Sequence, residues 1–365
     1  MASSVESSQY LASKASALAS TSPVPPSQAQ AAQIPLQSFE LPNFPPEAFT
    51  AGLASLILTS DIKLDEYSEL LTKAFAIPEL PPSIKNLTLE LFALGYPPGF
   101  LTTLGKRLPD LKALTLYSQL LAGTTVASRE DALTFLRFQT DIQELHLLDV
   151  FGSAGFFTDL SKALSPSLKF LEVNYTYRHS DPQFLATIPS ADIPSLISKE
   201  LVALTMGISS PDVTDDADDR EGTEVGVKPI SGKDARIAAE KLLEGEGLVM
   251  CDITMFELDR WEVETILDGL GKLKVFSCTV RLEKGWEEVF EIFGREERGI
   301  EVLEVVGVPG EEMVERLKGE VESVTKEMID GLCLKCVGLK TVKISILRTR
   351  VEQWVKEGTL WEKKI

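Results

Sequence analysis

One short pattern recurs along this chain and restricts its fold more than any other feature. The pattern is apolar-x-x-apolar-x-apolar. It appears as Ile84-Lys-Asn-Leu87-Thr-Leu89, Leu111-Lys-Ala-Leu114-Thr-Leu116 and Ile142-Gln-Glu-Leu145-His-Leu147. It continues as Leu168-Lys-Phe-Leu171-Glu-Val173 and Leu201-Val-Ala-Leu204-Thr-Met206. After a gap come Leu248-Val-Met-Cys251-Asp-Ile253, Leu273-Lys-Val-Phe276-Ser-Cys278, Ile300-Glu-Val-Leu303-Glu-Val305 and Leu339-Lys-Thr-Val342-Lys-Ile344. Successive matches begin 25 to 47 residues apart, and several share a Lys after the first apolar residue. The alternating second half predicts a short strand.

The segments between matches read as helices. Phe100, Leu101, Leu104 and Leu108 share a face, as do Phe157, Leu160 and Leu164. Trp261, Val263, Ile266 and Leu267 repeat the spacing, and Trp286, Val289 and Phe290 follow it. Ser128 is placed to cap a helix carrying Ala132, Leu133 and Leu136, and Ala235 to Leu243 forms another candidate. A strand of a few residues followed by a helix cannot bury its apolar edge alone. Stacking the units in parallel does so. The expectation is an α/β solenoid, with a parallel sheet on the concave side and helices outside.

The pattern resembles the leucine-rich-repeat superfamily over residues 84 to 350, in its longer ribonuclease-inhibitor-like and F-box-associated forms. The Asn or Cys usual after the strand is mostly missing, so the resemblance implies an irregular, degenerate solenoid. Residues 1–45, dominated by Ser, Ala, Gln and Pro, are expected to be a disordered tail. Residues 46–80 read as a helical cap, because Leu53, Leu56, Ile57, Leu70 and Leu71 recur at three and four residues. The solenoid is expected over 81–365, with an acidic loop inserted at about 208–232.

The chain has 365 residues, 36 Lys and Arg, 55 Asp and Glu, and a formal net charge of −19. That balance disfavours nucleic acid and anionic lipid, which need clustered basic residues. It favours a protein partner, with basic character the better match. No apolar run reaches the ~18 residues that span a bilayer. The N-terminus lacks the basic and apolar regions of a secretory signal. An intracellular protein, cytoplasmic or nuclear and monomeric, is expected.

Candidate chemistry fails motif by motif. The acidic loop does not keep calcium register: with Gly222 at the sixth position, Ala217 falls first and Lys228 twelfth. Cys333-Leu-Lys-Cys336 lacks the further ligands of a structural zinc site. No phosphate-binding glycine loop, nucleophile elbow or HExxH motif occurs. No catalytic residue, metal or cofactor is expected. Asn86-Leu-Thr88 and Asn174-Tyr-Thr176 match the glycosylation sequon by chance.

What remains is a surface. Strand side chains alternate, so the residue between the last two apolar positions of each match faces the concave side. That row reads Thr88, Thr115, His146, Glu172, Thr205, Asp252, Ser277, Glu304 and Lys343. A neighbouring row contains Asn86, Glu144, Phe170, Met250 and Val302. Phe170 and Tyr117 are the aromatic anchors expected to dominate an interface there. The leading expectation is a non-enzymatic protein-interaction scaffold. The resemblance implies one alternative, a ubiquitin-ligase substrate adaptor, with Phe44-Pro-Pro-Glu47-Ala-Phe49 through Leu53 and Ile57 similar to an F-box opening. A thiol redox enzyme using Cys333 and Cys336 is the other, and it requires a depressed thiol pKa.

Overall fold

The computed structural model describes residues 36–41 (backbone only), 52–60, 77–90, 95–117, 120–176, 192–209, 229–283, 285–294, 299–310, 324–346, 351–357 and 360–364. Their strands form one 13-stranded sheet in strict chain order. The strands are β1 (Leu36–Leu41), β2 (Ser55–Ser60), β3 (Asn86–Glu90), β4 (Ala113–Tyr117), β5 (Glu144–Leu148), β6 (Phe170–Thr176) and β7 (Ala203–Ser209). There follow β8 (Met250–Leu258), β9 (Val275–Leu282), β10 (Val302–Pro309), β11 (Thr341–Ile346), β12 (Val351–Glu357) and β13 (Leu360–Lys364). Neighbours from β1 to β11 are parallel, and β12 and β13 add antiparallel. The described helices are α1 (Phe100–Arg107), α2 (Val126–Phe138), α3 (Phe156–Ala163), α4 (Lys233–Leu242), α5 (Arg260–Gly269), α6 (Trp286–Phe293) and α7 (Lys326–Lys335). A short 3-10 turn, Ile193–Leu196, fills the helix position between α3 and α4.

The repeat pattern becomes two ladders of buried side chains. Leu56, Leu87, Leu114, Leu145, Leu171, Leu204, Cys251, Phe276, Leu303 and Val342 lie in register across ten strands. Leu58, Leu89, Leu116, Leu147, Val173 and Met206 begin the second, and every one of these six is 0% exposed. The helices supply the opposite wall with Phe100, Phe135, Phe157, Ile266, Phe293 and Ile329. A fully buried side chain of this size contributes roughly 1.5–3 kcal/mol.

Register is held at the N-terminal rim of the sheet. There one carbonyl accepts two successive N–H groups from the next strand. Lys85 O takes Lys112 N at 2.7 Å and Ala113 N at 3.1 Å, and the same contact recurs from Ala54 to Glu301. The Lys shared by several repeats sits at this rim. Lys85 pairs with Asp110 at 3.3 Å, Lys112 with Asp141 at 3.0 Å and Lys169 with Glu200 at 3.5 Å. Each acid directly precedes the first apolar residue of the next repeat. These exposed pairs are worth roughly 0–1 kcal/mol apiece.

The helix layer is stitched across repeats too. α1 and α3 start after Gly99 (φ 70°) and Gly155 (φ 75°), which have no side chain to cap the helix. The following element provides the cap. Asp131 of α2 accepts from Leu101 N at 3.2 Å and Thr102 N at 2.9 Å. Asp192 accepts from Gly155 N and, at 3.3 Å, from the Thr158 hydroxyl.

Several expectations need correction. The segment read as a helical cap over 46–80 contains strand β2 at Ser55–Ser60. Leu53, Leu56 and Leu58 fit the repeat template, and the three- and four-residue spacing that suggested a helix is shared by both readings over so short a run. A strand there also replaces part of the helical segment that the F-box reading requires. The expected tail contains β1, Leu36–Leu41, paired with β2, so the sheet begins well before residue 81. The remainder of the tail, residues 46–51 and 61–76 of the cap, and residues 210–228 of the acidic insertion lie outside the described residues. The insertion's ends do not: Ile208 and Ser209 belong to β7. Ile230 accepts from Glu257 N at 2.8 Å and donates to Met255 O at 2.9 Å, joining β8. Helix α2 is capped by Thr125, with Ser128 three residues inside it in a capping box.

Replacing Asp131 by Ala should lower the urea midpoint by the equivalent of about 1 kcal/mol, the usual cost of a lost helix cap. Asp131→Asn should retain most of the difference, since it keeps an acceptor.

Candidate functional site

The face of the sheet turned away from the helices carries the predicted row intact. Thr88, Thr115, His146, Glu172, Thr205, Asp252, Ser277, Glu304 and Lys343 are successive partners in the strand register. Ile57 and Gln353 extend the row at its two ends. Tyr117 lies in the row two residues further along the strands, paired with Glu90 and Leu148. Alternation along the strands therefore places these ten expected contact residues on one face.

Their surroundings differ from those of a simple solvated row. His146 Nδ1 lies 2.6 Å from Glu172 Oε2, and Glu172 is only 2% exposed. The His146 ring tilts against Phe170 at 5.0 Å between centroids. Lys343 Nζ donates to Glu304 Oε1 at 2.6 Å. One end of the central acidic stretch is thus closed by His146 and the other by Lys343.

Asp252 is placed between them and treated differently. Its Oδ1 accepts from Thr254 N at 3.0 Å and from the Thr254 hydroxyl at 2.8 Å. Burial and the nearby Glu304 carboxylate push its carboxyl up to about 7, against the pull of Thr254 and Lys343. Just beyond it, strand β8 departs from register: Ile253 faces Cys278, but Glu257 faces Thr279. The intervening Thr254, Met255 and Phe256 form a bulge, a device that re-aims side chains. Thr279 locks it by donating to Thr254 O at 2.8 Å.

Phe170 does not stand out as an open anchor. It is 8% exposed and packs with Ala203, Met250 and Val275, with Val302 at the margin. This apolar stripe is separate from the core and occupies the helix-free face beside the polar row. Ala203 and Val275 follow from the same offset that gave Phe170 and Met250, and they complete the stripe. Tyr117 is half-buried.

The cysteines are core or capping groups. Cys251 and Cys278 are buried, and burial raises both thiols. Cys336 caps α7 and donates its S–H to Phe293 O at 3.4 Å. Burial pushes the Cys333 thiol up to about 12, opposite in direction to the depressed pKa that the redox reading requires. Among the described residues no three metal-ligating side chains cluster, and no helix is long and apolar enough to cross a membrane.

This topology is that of an irregular α/β solenoid: strand, loop and helix repeated in chain order, with a mostly parallel sheet on one side and helices on the other. No protein-family profile matches the chain, and no curated protein matches it. Among solved structures, the leucine-rich repeat-containing protein LegL7 from Legionella pneumophila is similar at 13% identity and a TM-score of 0.41, covering 85% of this chain and 91% of that one.

A raised carboxyl pKa makes Asp252 a pH-dependent destabilising group. The folded chain holds a proton between the unfolded value near 4 and about 7, where the unfolded chain has lost it. Stability from this site is therefore greatest below pH 4 and declines as pH rises to 7. Asp252→Asn abolishes that term. The melting temperature of wild type minus that of the variant should fall from pH 4 to 7 and then level off.

Proposed function

We propose that this chain is a non-enzymatic protein-interaction scaffold that takes a protein partner on the helix-free face of its sheet. The observation that carries the reading is the unbroken register from Thr88 to Lys343 beside the apolar stripe of Phe170, Ala203, Met250 and Val275. A continuous ladder of polar and apolar side chains on a regular backbone suits a long contact better than a reaction, and solenoids use such faces for binding. The chain's net charge of −19, together with Glu172, Asp252 and Glu304 in the central row, supports a partner of basic character.

The test compares the two faces of the full-length chain. A photo-crosslinking residue at Thr115 or Lys343 should capture a partner that the same group at Lys106 or Glu287, on the helix layer, does not. Thr88→Arg combined with Thr115→Arg should weaken capture about tenfold or more by opposing a basic partner, with an unchanged melting temperature. Crosslinks arising only from the helix layer would overturn the reading.

A further inference from the structure

The ladder of ion pairs along the sheet rim changes near its C-terminal end. In earlier repeats each rim lysine meets an acid that directly precedes the first apolar residue of the next repeat. Lys85 meets Asp110 in this way, Lys112 meets Asp141 and Lys169 meets Glu200. For Lys274 the corresponding position is Gly299, and one repeat later it is Gly338. The rim-lysine position between them is Glu301. Two acids of the ladder are therefore missing, and one acid stands where a lysine would. Glu301 is left to serve two lysines, Lys274 at 3.5 Å and Lys340 at 2.5 Å. The Lys340 hydrogen bond, reinforced by both ammonium charges, holds its carboxyl below the ordinary value.

A cleft of about 380 Å³ opens where the missing carboxylates would stand. Lys274, Lys335 and Lys340 line it, with Glu301, Val337 and the two glycines. A Cβ on Gly299 would lie 3.2 Å from Lys274 Nζ, and one on Gly338 would lie 3.3 Å from Ile300 O. The glycines thus keep side chains out of the space beside the ammonium group. Lys335 is the last residue of α7 and passes over Gly294, where an added Cβ would lie 2.9 Å from its Cδ. Among the described residues Lys335 has no ion pair.

Three lysines against one glutamate leave this cleft a formal surplus of two positive charges, in a chain whose total is −19. A phosphate monoester carries about −1.5 to −2 at pH 7 and offers three acceptor oxygens. Ammonium groups are point donors, and three of them around one space suit a tetrahedral oxyanion. A planar carboxylate is matched better by a guanidinium fork. The acidic balance of the rest of the chain repels a long polyanion but leaves a compact one free to enter. Val337, 78% exposed at the edge of the cleft, offers an apolar shoulder to whatever carries the phosphate.

We propose that Lys274, Lys335 and Lys340 bind a phosphate group, which takes the place of the carboxylates that Gly299 and Gly338 lack. Glu301 holds Lys274 and Lys340 in position and competes with the phosphate for them. The site lies at the rim of β9 to β11 and is independent of the scaffold reading of the helix-free face.

The test follows the 31P line of two probes, inorganic phosphate and N-acetyl-O-phosphoserine methylamide, as full-length protein is added. Each line should broaden saturably. Lys335→Ala should weaken binding about fivefold or more, by removing a charge-assisted donor. Glu301→Gln should tighten it about threefold or more, by removing a like charge that competes for the lysines. Lys112→Ala takes away a rim lysine whose acid is in place, and it should change nothing. Circular dichroism checks that each variant is folded. Binding of both probes supports recognition of the phosphate itself, and binding of the ester alone supports a phosphorylated chain as the ligand. No saturable broadening with either probe, weaker binding by Glu301→Gln, or equal losses in Lys335→Ala and Lys112→Ala would overturn the site. Displacement of the phosphoserine probe by an equal concentration of N-acetyl-aspartate methylamide would overturn phosphate as its ligand.

Discussion

Everything in this molecule depends on keeping parallel strands in step. A parallel strand cannot be joined to its neighbour by a tight turn. Each of these strands is separated from the next by a loop and, in most repeats, a helix. The rim carbonyls restore the lost precision. Each one engages two successive N–H groups of the following strand, so a slip by one residue would break both bonds. The slip would also turn Leu145 and Leu147 outward and His146 into the core. Apolar burial supplies most of the free energy, but the paired rim bonds make the same burial repeat at each step.

That regularity builds a surface as a by-product. Because the core leucines alternate with outward residues, the sheet displays rows whose members come from different repeats yet stand about 4.8 Å apart. Glu172 and Asp252 are far apart in the chain and only two strands apart in the sheet. Their surroundings differ: Glu172 meets His146 of the preceding strand at 2.6 Å, whereas Asp252 accepts its hydrogen bonds from Thr254 on its own strand. The β8 bulge adds a local departure at the point where the row is least balanced.

Much of this was legible in the residues. The leucine template fixed β3 to β11, and its one-residue offset placed Thr88 through Lys343 on a common face. The template was also present at Leu53, Leu56 and Leu58, but neighbouring apolar residues allowed a helical reading until Leu58 was aligned with Leu89. β1 was hidden by a Pro- and Ser-rich context. The terminal hairpin of β12 and β13 was hidden because it abandons the repeat. There Trp354 and Trp361, 6% and 4% exposed, close the end of the core, while Glu362, Lys363 and Lys364 keep the last strand charged. Side-chain partnerships were the least legible. No spacing rule links His146 to Glu172 or reports that Phe170 is covered by its row-mates, since those contacts exist only across strands.

The cross-repeat caps give the fold a direction in time. Helix α1 begins at Phe100, but the carboxylate that completes its N-terminus belongs to Asp131, and α3 waits in the same way for Asp192. As the chain leaves the ribosome, these repeats are assembled before they are finished, and each is finished by residues that emerge about thirty or more positions later. An interrupted chain would therefore end in a repeat with an open helix terminus and an unclamped strand. Such a fragment is an unfinished surface, suited to recognition by quality-control machinery in a way that a solenoid with its caps and terminal hairpin in place is not.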